Sequence, residues 1–277
     1  MRSFQGRVVA VTGAASGIGR ALAHELASRG AALALSDVDE RGLEDTAKAV
    51  GERGSAVTHT RVDVSDRAAV AAWAESVMAD HGRVHCIINN AGVALSATVE
   101  EMSDEDFQWL MGINFWGVVH GTRAFLPHLI ASGDGHIVNV SSVFGLIGVP
   151  TQAAYNAAKF AVRGFTECLR QELEIAGHPV SATCIHPGGI KTNIVRNARV
   201  NEHEAGRSRQ ELIEQFDRAA RTTPERAARV IVEGVLRNRR RVLIGVDARI
   251  IDWVQRLLPT GYQRLLTAAA KRGAPPI

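Results

Sequence analysis

Arg7-Val-Val-Ala-Val-Thr-Gly-Ala-Ala-Ser-Gly-Ile-Gly19 (RVVAVTGAASGIG) decides the fold. Arg7–Thr12 is an apolar, valine-rich run and reads as a strand. From Gly17 to Arg29 the apolar residues Ile18, Ala21, Leu22 and Leu26 fall at helical spacing. Between them lies a glycine-rich turn. Gly13 permits the tight turn, Gly17 permits close backbone approach by a ligand, and Gly19 permits close packing of helix on strand. The free N–H groups and partial positive charge of the helix start then suit an anion, with Ser16 and Ile18 at the contact. The strand–turn–helix context separates this stretch from an ordinary connecting turn.

Outward from this unit the same alternation continues. Strands are expected at 32–36, 57–62, 84–89, 135–141, 180–186 and 241–244. Helices are expected at 39–53, 66–81, 114–132 and 154–176. Ser103 opens another helix as the first residue of a capping box with Asp106. Thr223-Pro224-Glu225 places an N-cap before a proline at the first helical position. Strand–helix alternation implies a doubly wound parallel sheet with helices on both faces, a three-layer α/β/α architecture. With no repeat, low-complexity stretch or break in composition, residues 1–277 are expected to form a single domain.

Composition narrows the function. The chain has 277 residues, 46% of them hydrophobic, and a formal net charge of +3. The one basic run, Arg237–Arg241, has no aromatic residues or reader motif beside it and is expected to be a solvated turn rather than a nucleic-acid contact. Cys86, Cys168 and Cys184 are odd in number and sit among apolar residues. They are expected to be reduced core thiols of a cytoplasmic protein, not disulfides or metal ligands. With no apolar signal-like run in residues 1–7 and no apolar run approaching the roughly 18 residues of a membrane span, neither export nor a membrane span is expected. His203, between Glu202 and Glu204, reads as a solvated loop rather than a metal site.

Asp37 ends the second strand. A carboxylate there can accept both ribose hydroxyls of NAD and would repel the 2′-phosphate of NADP. An N-capping role is the plainer alternative and is compatible with it. The residue before Gly17 is Ser16, where a basic residue would favour NADP.

The ordered set TGAASGIG, Asp63-Val64, Asn89-Asn90-Ala91-Gly92, Asn114, Ser142, Tyr155-Asn-Ala-Ala-Lys159, and Pro187-Gly188 with Thr192 resembles the short-chain dehydrogenase/reductase family, over about residues 7–245. The resemblance implies a Rossmann-type domain and a nicotinamide-dependent oxidoreductase. It implies adenine contacts from Asp63 and Val64, an adenosine-ribose border at Asn90, Ala91 and Gly92, and a nicotinamide segment at Pro187, Gly188, Ile190 and Thr192. It also implies that Lys159 holds the nicotinamide ribose, that Asn114 anchors a water chain to that lysine, and that the family spacing selects Ser142 over Ser141. A homotetramer or homodimer, built through the helices carrying Asn114 and Tyr155, is implied likewise.

The residues themselves support a proton-transfer role. Tyr155 and Lys159 are spaced i, i+4 and share a helix face. A phenol of ordinary pKa, about 10, is a poor base. A neighbouring ammonium and an oxidised nicotinamide are both expected to lower it. The Ser142 hydroxyl can orient the reacting oxygen. Each residue alone has a plainer explanation: a surface pair, a turn former, an exposed amide. Jointly they point to interconversion of an alcohol and a ketone. The competing expectations are an NADP-dependent 3-oxoacyl or carbonyl reductase and a non-catalytic NAD-sensing regulator.

Ligands of this architecture bind beyond the carboxyl ends of the strands. The expected pocket wall comes from 93–96, 143–152 and 189 onward, including Val93, Leu95, Phe144, Leu146, Ile147 and Val149, with Gln152 as a polar handle beside Ser142 and Tyr155. This lining suits a neutral or hydrophobic alcohol. Residues 194–221 are expected to form a lid, with Leu212, Ile213, Phe216 and Ala220 at helical spacing. Beyond Gly245, Ile250, Ile251, Trp253, Val254, Leu257 and Leu258 form one apolar cluster, and Tyr262, Leu265 and Leu266 another. This extension (246–277) could cap the pocket or a neighbouring subunit, be ordinary core, or rest on a membrane surface as a basic amphipathic helix.

Overall fold

The computed structural model describes residues 1–200 and 209–272. His203 and its flanking glutamates therefore lie outside the described residues. The seven strands of the main sheet and the helices between them follow the expected order. β1 (Val8–Thr12) leads through the glycine turn into α1 (Gly17–Ser28), then β2 (Ala32–Asp37), α2 (Glu40–Gly51), β3 (Val57–Arg61) and α3 (Arg67–His81). β4 (Cys86–Asn89), β5 (Leu95–Ser96), α4 (Asp104–Met111), a π turn (Gly112–Trp116) and α5 (Gly117–Ala131) follow. Next come β6 (Gly135–Val140), a short 3₁₀ turn (Val143–Gly145), α6 (Ala153–Ile175), β7 (Val180–Pro187), β8 (Arg199–Val200) and α7 (Arg209–Ala219). The chain closes with α8 (Pro224–Leu236), β9 (Arg241–Ile244), α9 (Val246–Leu257) and α10 (Gly261–Lys271).

Seven strands form one parallel sheet in the order β3-β2-β1-β4-β6-β7-β9. Side chains alternate across it, so each strand feeds two cores. Val9 and Val11 of β1 join Leu22 and Leu26 of α1, Leu43 of α2 and Ile231 and Val235 of α8 on one face. Val8 and Ala10 join Trp73 of α3, Phe125 and Leu129 of α5 and Leu169 and Leu173 of α6 on the other. Strand order reverses between β1 and β4. A crevice opens there at the carboxyl ends of the strands, where this architecture takes its ligands.

Local chemistry sets the helix ends. Asp66 accepts from the N–H groups of Ala68 and Ala69, and Gly82 closes α3 in the left-handed region at φ 70°. Ser103 accepts from Asp106 N–H and Thr223 from Arg226 N–H, as their capping patterns predict. The basic run at 237–241 links α8 to β9. Arg240 pairs with Glu174, and Arg241 with Glu167 and Asp252, so it is a charge-paired turn.

Two expectations need correction, and one pairing was unforeseen. Cys168 is exposed on α6, whereas Cys86 and Cys184 are buried. Its apolar neighbours in sequence face inward a third of a turn away. The helix expected from Asn114 begins instead as a five-residue π turn continuous with α4. And β5 pairs with β8 in a separate two-stranded sheet that no sequence signal announced.

Candidate active site

The glycine turn is held by its neighbours rather than by its own side chains. Asn90 Nδ2 donates to the Thr12 and Gly13 carbonyls at 2.9 and 3.2 Å, and the Asn90 and Ala91 N–H groups donate to Thr12 Oγ1 at 3.0 Å each. Gly13 lies at φ 67°, and a Cβ there would stand 2.8 Å from Ala91 Cα. A Cβ on Gly19 would fall 1.9 Å from the Gly13 carbonyl oxygen, so only glycine lets α1 start this close to β1. Ser16 is extended and its side chain does not cap α1, leaving the helix-start N–H groups facing the crevice. A backbone cradle with an uncapped helix start fits a pyrophosphate.

Asp37 closes the same crevice. Its Oδ2 accepts from Ala15 N–H at 2.9 Å and its Oδ1 from Asp39 N–H at 3.1 Å. The N-cap of α2 is Asp39, which accepts from Gly42 N–H. Asp37 is therefore not the cap, and it links the strand end to the phosphate turn. The half-buried Arg20 is committed to Thr46 Oγ1 at 3.0 Å and to the Ala15 carbonyl. Asp63 accepts from Ser65 N–H and Oγ, and Val64 is buried against Gly117.

The expected catalytic residues converge beyond β6. Ser141 and Ser142 part company there. Ser141 Oγ turns inward and donates to the Lys159 carbonyl at 2.8 Å, whereas the Ser142 side chain reaches the Tyr155 hydroxyl. The Ser142 carbonyl accepts from His186 Nδ1 at 2.8 Å, which pins the serine to β7. Lys159 Nζ donates to the Val140 carbonyl at 3.0 Å and lies 5.5 Å from the Tyr155 ring centre. Asn114, fully buried on the π turn, grips Val93 with both ends of its amide, at 2.8 Å each. A Cβ on Gly92 would meet Asn114 Oδ1 at 3.2 Å and Lys159 Nζ at 3.5 Å, so the amide, the glycine and the lysine are in contact range.

Electrostatics in this site differs from the expectation. Burial pushes the Tyr155 phenol up to about 12, and the Ser142 hydrogen bond only partly offsets it. Burial also pulls the Lys159 ammonium down to about 8. Desolvation of the phenolate dominates at Tyr155, so the net shift of the phenol is upward rather than downward.

The pocket wall is partly as expected. Phe144 packs edge-on against Tyr155 with ring centres 5.9 Å apart. Val93 and Leu95 cluster with Tyr155, Leu110 and Ala158. Gln152 is the N-cap residue of α6 and bridges to Ala97. Leu146, Ile147 and Val149 are buried, and Ile147 and Val149 face Ala248, Ile251 and Tyr262 of the C-terminal helices instead of the crevice.

Three residues to which the sequence reading gave no partner in the site shape these walls. Asn156, beside the tyrosine, donates to the Phe144 and Ile147 carbonyls at 2.6 Å each and accepts from Val149 N–H at 3.0 Å. Tyr262 Oη accepts from Gly148 N–H at 2.9 Å. Asp247 Oδ2 accepts from Gly189 N–H at 2.6 Å, beside Pro187 and Gly188, and Ile190 and Thr192 follow on the same segment. The inner faces of α9 and α10 therefore clamp two walls of the crevice. A buried asparagine next to a catalytic pattern was the one available signal. Nothing in the sequence pairs Tyr262 or Asp247 with loops 58 to 114 residues away.

With this geometry in view, comparison with known proteins is direct. The short chain dehydrogenase family profile matches residues 7–203. A Mycobacterium tuberculosis protein named as an oxidoreductase, SadH, is 52% identical over 99% of both chains. A short-chain dehydrogenase/reductase from Burkholderia phymatum, solved in complex with NAD, superposes with a TM-score of 0.84 at 34% identity, covering 100% of this chain and 98% of that one. An alcohol dehydrogenase from Thermococcus sibiricus, complexed with 5-hydroxy-NADP, superposes at 0.73 with 25% identity over 87% of this chain and 96% of that one. With the glycine cradle, the Ser142–Tyr155–Lys159 cluster and the seven-stranded sheet all in place, the chain belongs to the short-chain dehydrogenase/reductase family of oxidoreductases.

Proposed function

We propose that this protein interconverts a secondary, hydrophobic alcohol and its ketone, with NAD as redox partner and Tyr155 as the acid/base. The convergence of Ser142, Tyr155 and Lys159 beside the glycine cradle carries this reading. Bound NAD supplies the hydride acceptor. In alcohol oxidation, Tyr155 Oη takes the hydroxyl proton. Ser142 Oγ hydrogen-bonds the same oxygen and fixes its direction. Lys159 holds the ribose and stabilises the phenolate by its charge, and Asn114 holds the turn at Val93 beside it and anchors the water that returns the proton to solvent. In the reverse direction Tyr155 donates. Phe144 and Leu95 furnish the apolar wall, residues 194–221 the lid, and α6 with α5 and its preceding π turn an assembly face on which Trp116 and Phe160 are exposed.

A panel of secondary alcohols against charged hydroxy acids tests the substrate class. Preference for the charged set would reject it.

Cofactor choice rests on Asp37. An Asp37→Ala variant is expected to raise the KM for NAD by roughly ten- to a hundredfold, the loss of hydrogen bonds to a charged group. The NAD/NADP ratio of kcat/KM should shrink in step. A wild-type preference for NADP would instead favour a carbonyl or 3-oxoacyl reductase.

The clamp from α10 gives a second expected result. Tyr262→Phe removes the partner of Gly148 N–H, so the KM for the alcohol should rise severalfold while the KM for NAD stays put. Equal shifts in both constants would show that the hydroxyl supports the fold generally.

A further inference from the structure

The C-terminal helices use only one of their faces in the fold. Ala248, Ile251 and Tyr262 point inward onto Val143, Ile147 and Val149. The opposite stripe of α9, at the 3–4 residue spacing of one helix face, carries Val246, Arg249, Ile250, Trp253, Arg256 and Leu257. Its large apolar members are 56–70% exposed, and Leu265 of α10 adds another at 59%. Contiguous apolar surface of this kind marks an interaction site.

Charge says what kind. Residues 246–277 hold five basic side chains and two acids. Both acids are turned away from the stripe. Asp247 accepts from Gly189 N–H, and Asp252 is buried against Arg241 and Arg256. Arg249, Arg264, Lys271 and Arg272 are exposed and have no carboxylate partner among the described residues. The outward surface is therefore apolar and cationic. A second copy meeting it across a two-fold axis would set one cationic patch against another. We infer that the outer face of α9 and α10 docks on an anionic lipid surface, with Trp253 at headgroup depth and Arg249 and Arg264 over the phosphates. No helix among the described residues is long and apolar enough to cross a membrane, so the contact is peripheral. Interfacial helices of this build combine apolar burial with attraction to acidic lipid.

Vesicle flotation of the full chain tests this, using phosphatidylcholine vesicles with and without about a third phosphatidylglycerol. Co-flotation with the anionic vesicles only, weakened at high salt, is expected. Brominated acyl chains should quench tryptophan emission, and Trp253→Phe should abolish that quenching. Each basic residue near such a surface adds about fivefold to partitioning. The double variant Arg249→Glu/Arg264→Glu should therefore partition more than tenfold less, with its circular dichroism and melting temperature unchanged. Absence of flotation overturns the proposal. So does flotation indifferent to the charge reversals. A self-association in sedimentation that the Trp253 variant abolishes would overturn it too, by assigning the face to a contact between copies.

Discussion

Tyr155→Phe should lower kcat by about a thousandfold, the middle of the range for a lost general acid/base, while leaving the fold intact. The ring is what packs: it meets Phe144 edge-on and sits among Leu95, Leu110 and Ala158, and phenylalanine keeps all of that. Only the hydroxyl and its bond to Ser142 go. Losing one buried neutral hydrogen bond costs about 1 kcal/mol, so the melting temperature should move by a few degrees at most. The KM for NAD should hold, because the glycine cradle and Lys159 are untouched. The pH profile gives a second reading. Burial holds the phenol near 12, so wild-type alcohol oxidation should accelerate as pH rises through neutrality, until loss of the Lys159 charge above about 8 opposes it. The variant's residual rate should lose the part of that rise owed to the phenol. Steady-state kinetics beside a thermal melt separate the cases. Unchanged turnover would remove Tyr155 from the chemistry, and a collapsed melting temperature would show that the hydroxyl serves the fold.

The contrast between Ser141 and Ser142 shows what a sequence can and cannot say. Both follow β6 directly, and the alternation continued from that strand tells only that they face opposite ways. The family resemblance selected Ser142, and the structure places Ser141 against the Lys159 carbonyl. The glycine turn was legible for a similar reason. Its requirements are local, set by backbone conformation within seven residues. Asp37 was legible as a residue, but its exclusion as the cap of α2 needed Asp39 to be seen in that role. The features that escaped are those fixed by distant partners. The π turn exists where the Asn114 amide meets Val93, 21 residues away. Tyr262 and Asp247 reach loops that only the folded sheet brings to them. The phenol pKa escaped as well, because burial of Tyr155 is a property of the assembled site and not of the i, i+4 pair. The outward C-terminal stripe was visible as amphipathic, yet which half packs on the enzyme required coordinates.

Acid should unfold this protein well before its carboxylates are all neutralised, through two histidines that the fold keeps uncharged. His136 and His186 have no exposed surface. Burial lowers His136 to about 3, helped by the amino terminus and Arg170, and lowers His186 to about 4. Each ring makes one hydrogen bond, His136 to Thr183 Oγ1 and His186 to the Ser142 carbonyl, both at 2.8 Å. In the unfolded chain both rings regain an ordinary pKa near 6.5. Between 6.5 and the folded values the unfolded state therefore binds more protons, and stability must fall as pH falls. The contribution is whole above about 6.5. At pH 5 each ring has lost about 2 kcal/mol, so the pair removes about 4 kcal/mol, a large part of the roughly 5–15 kcal/mol a domain possesses. Urea titrations at pH 7.5 and 5.0 measure this difference directly. His136→Asn, which can keep a bond to Thr183, should be less stable at pH 7.5 yet show about half the loss on acidification. A stability independent of pH over that interval would refute neutral burial of both rings. His186 adds a functional corollary. Its Nδ1 proton serves the Ser142 carbonyl in either charge state, so protonation does not itself detach the serine. Acid inactivation beyond the titration of Tyr155 and Lys159 should then track loss of the fold, with activity and circular dichroism falling together.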